Sequence, residues 1–267
     1  MKPRAEAVDV NARIAVLCRS FHLPTVGAEA VPRFTRAGHA DALPTLGDVL
    51  EQEATDRAQR RVERLRAESK LPIGKTWSSF DLQRLPVKLR QQLDDLAKGD
   101  FVERGENVLA FGLPGTGKTH AMAALGHRLV EHGHAVLFTA TYRLVQQLLL
   151  AKRELRLPRE LKKLDRFDVL ILDDLGYVHQ GAEDTDVLFT LMGERYERRS
   201  LIVTSNLVFS QWDQIFHNPM ATVAAIDRIV HNSTILEFDV PSYRTEVAKK
   251  RNAGAPMGGD ASAKGKK

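Results

Sequence analysis

The sequence predicts an α/β fold built on a parallel five-stranded sheet, preceded by a small helical N-terminal domain. Two observations predict it. From Gly105 onward, short apolar runs alternate with amphipathic stretches, the pattern of strands buried on both faces and joined by crossover helices. One of these runs, Asn107–Phe111, leads directly into the glycine-rich segment GLPGTGKT (112–119), which the helical stretch HAMAALGHRLV follows.

The strands read as Asn107–Phe111, Ala135–Thr139, Asp168–Leu172, Leu201–Thr204 and Thr234–Phe238, with helical patterns between them where right-handed crossovers need them. Ahead of the sheet, Val10, Ile14 and Leu17 recur at helical spacing within Val8–Phe21, and Pro24, Pro32 and Pro44 then mark a looser connection. Leu46–Lys70 is rich in helix formers, with Glu53–Arg57 and Asp56–Arg60 spaced to pair along one face, and Pro72 ends that helix. A linker leads to a further helix over Leu85–Leu96, closing at Gly99. The closing segment RNAGAPMGGDASAKGKK has little to bury and reads as disordered. The resulting divisions are 1–74 for a helical region making partner or DNA contacts, 75–246 for the sheet domain and 247–267 for a basic tail.

Composition narrows the class. Hydrophobic residues make up 43% of 267 and charged residues 27%, as in a globular protein. No run approaches about 18 apolar residues, and the first residues lack an apolar leader core, so a cytoplasmic protein without membrane contact is expected. Cys18, the single cysteine, excludes an internal disulfide and a multi-cysteine zinc site, and reads as a small buried residue. A net charge of +5 points to a polyanionic partner.

Gly112, Gly117, Lys118 and Thr119 satisfy G-x-x-x-x-G-K-[ST] between a strand and a helix. A loop of Gly112, Pro114, Gly115, Thr116 and Gly117 lets backbone N–H groups converge on phosphate oxygens at a helix N-terminus. Lys118 would bridge the β- and γ-phosphates of ATP, and the Thr119 hydroxyl would ligate Mg2+. A second GKT at Gly74, Lys75 and Thr76 has Ser69 where the first glycine belongs and no strand before it, so it is set aside. Asp173 and Asp174 end the third apolar run; Asp173 would hold Mg2+, and Asp174 would orient or deprotonate the attacking water. Asn206, just past the fourth run, could contact the γ-phosphate or that water, and a turn-forming asparagine is the plainer alternative. Arg228 and Arg244 lie where a cation could neutralise phosphate charge, in the same chain or from a neighbouring subunit; surface arginines are the other reading. Finally, 151–166 holds seven basic residues against three acidic ones, with Lys152, Arg153, Arg156, Lys162, Lys163 and Arg166 as candidate contacts to nucleic-acid phosphates. A solvated helix face is the alternative, and no aromatic residue interleaves the cluster to stack on single-stranded bases.

In this order the pieces resemble the IstB-like transposition helper ATPases, relatives of the DnaC helicase loaders in the AAA+ superfamily. The resemblance spans about residues 44–246 and rests on FVERGENVLAFGLPGTGKTHAMAALG, FDVLILDDLGYV, ERYERRSLIVTSNLVFSQWDQIF, AAIDRIVHN and PSYR. It implies an AAA+ P-loop core with strand order 5-1-4-3-2, Asn206 as sensor 1, Arg228 as arginine finger and Arg244 as a sensor-2-like arginine. It further implies a homo-oligomer with ATP sites between subunits that assembles on double-stranded DNA, holds it bent and assists a cognate transposase. A DnaC-type replicative helicase loader is the alternative client reading. The 141–166 region corresponds to the helical insertion that such relatives present to DNA. Asp174 stands where many of the superfamily carry glutamate, which shortens the reach to the water.

Overall fold

The apolar runs become the five strands of one parallel sheet: β1 (Asn107–Phe111), β2 (Val136–Ala140), β3 (Val169–Asp173), β4 (Ser200–Ser205) and β5 (Ser233–Glu237). The computed structural model describes residues 4–177, 182–207, 211, 212, 223, 227 and 229–253. Strand order is β2-β3-β4-β1-β5, which from the other edge is the expected 5-1-4-3-2. All four pairings are parallel, with Phe111 opposite both Ser205 and Glu237, and Ala140 opposite Asp173. β1 and β4 are buried along their whole length, whereas the edge strands β2 and β5 are buried only in part. That is why the central strands read as unbroken apolar runs.

The described helices are α1 (Arg4–Ser20), α2 (Pro24–Arg36), α3 (Leu43–Glu68), α4 (Val87–Leu96), α5 (Asp100–Glu103), α6 (Lys118–Glu131), α7 (Thr141–Arg153), α8 (Leu157–Leu164), α9 (Ala182–Arg195) and α10 (Tyr243–Ala253). None is long and apolar enough to cross a membrane. Internal contacts divide the chain into two units, Met1–Arg64 and Leu65–Lys267, so residues 65–74 belong with the sheet.

In the first unit Ile14, Cys18 and Leu43 are buried, with Val10, Phe34 and Leu50 packed against them. Arg13 pairs with Asp48 at 2.7 Å and Glu51 at 2.5 Å. The looser connection expected after Phe21 is instead the helix α2. Two of the prolines misled because Pro24 occupies the first turn of α2, where a missing N–H costs nothing, and Pro44 stands likewise near the start of α3; Pro32 lies inside α2, which continues through it. Glu53 pairs with Arg57 at 2.6 Å as the spacing suggests, but Arg60 reaches Glu53 at 3.4 Å, while Asp56 accepts from Gln52. Residues 247–253, expected to be disordered, extend α10; the rest of that tail lies outside the described residues.

In the second unit, the core beneath α7, α8 and α9 holds Leu144, Leu148, Leu164, Leu170, Leu191 and Val203. α7 ends in a turn in which Arg156 N donates to Ala151 O at 2.7 Å and Leu155 N to Lys152 O at 3.1 Å. This is a Schellman-type stop, and its left-handed residue is Leu155, at φ 54°. A glycine there would avoid a cost of about 1–2 kcal/mol.

A charged side chain ties the far end of the sheet together. Arg195, 2% exposed, donates to the carbonyls of Leu164 (3.2 Å), Phe167 (2.9 Å), Asp168 (3.1 Å) and Ser200 (3.2 Å), where α8 ends and β3 and β4 begin. Burial pushes its pKa down to about 10, yet the carbonyl ring keeps a cation well placed. Arg195→Met, similar in size, should lower stability by roughly 3 kcal/mol, because several buried carbonyls lose their donor. Urea unfolding measures this as a lower midpoint, and a midpoint within error of the unsubstituted chain would contradict the assignment.

Candidate functional site

The loop after β1 is shaped by its glycines. Gly117 is the N-cap of α6 at φ 102°, and Gly115 sits at φ 83°, both in the left-handed region. At Gly112 a Cβ would come within 2.6 Å of the Phe238 carbonyl oxygen, so the chain can pass only without a side chain. Thr116 Oγ1 donates to Leu113 O at 2.9 Å, and Lys118 Nζ donates to Gly112 O at 2.6 Å and Leu113 O at 2.9 Å. The ammonium therefore lies inside the loop, 8% exposed as a residue. Burial depresses its pKa, and the carboxylates of Asp174 and Asp173 oppose that shift. No acidic side chain occupies the first turn of α6, so its N-terminal positive potential is left for an anion.

The carboxylates reach this loop because β4 lies between β1 and β3. Thr204 Oγ1 donates to Asp173 Oδ1 at 2.7 Å and accepts from the Asp174 N–H at 2.8 Å. Thr141 Oγ1 donates to Asp173 O at 2.9 Å. Asp174 adopts φ 67°, which turns it out of the strand direction. Its pKa is raised by burial first and by Asp173 second, with Lys118 and Arg244 pulling the other way. Asn206 follows Ser205, the partner of Phe111, and so stands between the loop and the carboxylates. Its Oδ1 is buried without a hydrogen-bond partner.

On the other flank of the loop is a cleft of about 350 Å³ lined by Gly115, Thr116, Gly117 and Thr119 together with Phe80, Tyr243 and Arg244. Lys75, Arg84 and His120 also face it. Tyr243 N donates to Gly115 O at 3.0 Å, and Arg84 lies 4.9 Å from the Tyr243 ring centre while donating to Glu246 at 2.9 Å. His120 packs against Phe80 with ring centres 5.0 Å apart and bonds Ser79 Oγ at 3.0 Å. Burial lowers the His120 pKa. Sequence reasoning missed Phe80, Arg84, His120 and Tyr243 here. The GKT copy set aside at residue 74 nevertheless contributes Lys75, as a wall of the cleft and not as a phosphate loop.

The fit to ATP with Mg2+ is good. The glycine cradle has no room for added side chains, and Thr119 and Asp173 supply hard oxygen donors. Among the described residues no group of three or more His, Cys, Asp or Glu could hold a metal by itself. That suits an ion carried in largely by phosphates and water.

The remaining candidates stand apart. Arg228 lies outside the described residues. None of the six basic candidates of 152–166 lines the cleft. Lys152 pairs with Asp186, Arg153 with Glu183 at 3.3 Å, Arg156 with Glu154 and Lys163 with Glu160, whereas Arg166 lies 5.5 Å from the Phe167 ring centre. Lys162 is exposed and lines a separate cleft between α8 and α9.

Two outcomes follow from this geometry. Lys118→Ala removes the buried ammonium and should weaken ATP binding about 10–100-fold, measured by calorimetry. If Asp174 takes the proton of the attacking water it must be ionised, so its raised pKa moves the acid limb of the hydrolysis profile to higher pH than an ordinary aspartate gives. Asp174→Asn should abolish that limb and slow turnover about 10²-fold, with ATP binding retained.

The comparisons agree with this architecture. A family model described as IstB-like ATP binding protein matches residues 23–253. An insertion-sequence ATP-binding protein of Sinorhizobium fredii is 44% identical over 92% of this chain and 84% of its own length. The insertion sequence IS21 ATP-binding protein of Pseudomonas aeruginosa is 42% identical over 77% of each chain. Among solved structures, DnaI superposes with a TM-score of 0.53 at 20% identity, covering 63% of this chain and 95% of that one. Domain III of the replication initiation protein DnaA from Thermotoga maritima gives 0.53 at 16% identity, covering 68% and 74%. Both are likenesses of fold.

Proposed function

The chain belongs to the family of IstB-like ATP binding proteins, and on that premise we propose that it is an ATPase that oligomerises on duplex DNA and assists a transposase in target-site use. What carries the ATPase half is the Lys118 loop, whose buried ammonium feels the carboxylates of both Asp174 and Asp173. The transposition half is supported by the relatives, which are proteins of insertion sequences; this favours a transposase over a replicative helicase as client.

Bound Mg2+–ATP supplies the phosphoanhydride and the metal charge that stabilises its leaving oxygens. The protein does the rest. Loop amides and Lys118 hold the phosphates, and Thr119 and Asp173 hold the ion. Asn206 positions a water, and Asp174 receives its proton. Arg244, in the same chain, adds positive charge beside Lys118. Arg228 from a neighbouring subunit completes the charge around the γ-phosphate, so that ATP clamps protomers together and hydrolysis loosens them.

Basic side chains of α7 and α8 supply the duplex contacts. Three of their ion pairs are exposed on both sides, and such pairs are worth about 0–1 kcal/mol, so phosphate oxygens can replace those carboxylates; in the fourth, Lys163 is exposed but its partner Glu160 is buried. Sedimentation of the chain with duplex DNA, with and without a non-hydrolysable ATP analogue, tests the proposal. An ATP-dependent oligomer on DNA is expected, and equal weak binding in both conditions with no oligomer would sink it. Lys162→Ala with Lys163→Ala should lower affinity and flatten the slope of log K against log salt by about 2.

A further inference from the structure

We propose that Leu155 is an apolar wedge that enters the base stack of the duplex held by the basic side chains around it, an inference that rests on the duplex reading above. Leu155 is 91% exposed, more than almost any other large apolar residue described, and it occupies the left-handed stop of α7. Neither burial nor backbone favours a leucine there. Glycine is what the turn prefers, and a polar residue is what the solvent prefers. A lone exposed leucine is ordinary, but one held in the left-handed region calls for a reason outside the folded chain.

Its surroundings say what that reason is. Arg153 and Arg156 flank it, with side chains 72% and 53% exposed, and Arg159 is exposed one turn further on. Leu150, 58% exposed, adds a second apolar surface on the last turns of α7. The link carrying Leu155 is short, running from Arg153 to Leu157, and both helices are anchored, by buried Leu148 on one side and buried Leu164 on the other. A single aliphatic side chain on a rigid mount, beside arginines whose exposed ion pairs with Glu154 and Glu183 are open to exchange, matches a polyanion with an apolar interior. Duplex DNA is such a polymer. An inserted aliphatic side chain partly unstacks a base step and kinks the duplex, and the kink lets more phosphates meet the arginines.

The test uses the full chain with Mg2+ and a non-hydrolysable ATP analogue on a short duplex carrying dyes at both ends. Leu155→Gly should keep or raise the melting temperature, leave ATP binding and the salt slope unchanged, weaken duplex binding about tenfold and abolish the energy-transfer change that reports bending. Leu155→Phe should restore the bend. A Leu155→Gly chain that binds and bends DNA like the unsubstituted protein overturns the wedge. So does a loss of affinity with the bend intact, which makes the residue a simple backbone contact, and so does a lowered melting temperature, which gives the leucine a folding role. If the unsubstituted chain fails to bind duplex at all, the duplex reading itself fails and takes the wedge with it.

Discussion

The nucleotide end of the sheet depends on one hydroxyl. Thr204 Oγ1 stands at the close of β4, donates to the Asp173 carboxylate and accepts from the Asp174 N–H. The two carboxylates thereby receive different instructions from one neighbour. Asp173 has an oxygen engaged and stays aligned with its strand, while Asp174 is held by its backbone and turns into the left-handed region. A parallel sheet delivers strand ends to a common edge, but it does not by itself orient the side chains there. Thr204 makes that selection, and it can do so only because β4 lies between the loop strand and the carboxylate strand.

How much of this was legible in the sequence follows from what each signal depends on. β1, β3 and β4 are covered on both faces, so their buried character is written in consecutive apolar letters. The Gly112–Thr119 loop was legible because its backbone must be glycine at particular offsets. Asn206 was legible as a position at the end of a strand, but the burial of its partnerless oxygen was not. Segments whose meaning is set by distant neighbours were not legible. The cleft beside the loop joins Phe80 and Arg84 to Tyr243, and no local pattern relates those positions. Arg195 looks in sequence like one more cation in a charged stretch, and its role arises where α8, β3 and β4 meet. Proline was the misleading letter in α2, where Pro24 sits in the first turn and the helix also continues through Pro32.

Charge on the second unit is arranged in two styles. Around the loop it is concentrated, with Lys118 buried, Asp173 half-buried and Asp174 and Arg244 exposed, and with Lys118 and Asp174 each feeling the other three. On α7 and α8 it is locally neutralised by carboxylates of α8, α9 and the intervening turn, all exposed except the buried Glu160. The first arrangement makes small displacements electrostatically expensive, while the second makes exchange of partners cheap. A sequence count of basic letters detects the second cluster and overlooks its acidic complement, because Glu183 and Asp186 lie well along the chain from it.

The pairing of β1 with β5 also orders events in time. β5 and the Tyr243 amide that grips the Gly115 carbonyl come from the last part of the sequence, and a ribosome delivers them long after the loop itself. Until then Gly112 lacks the Phe238 backbone that crowds it, and the loop lacks its outer wall. A nascent chain thus carries the whole glycine motif with no finished cradle for a phosphate. The cradle is closed only once the residues up to Tyr243 have been made.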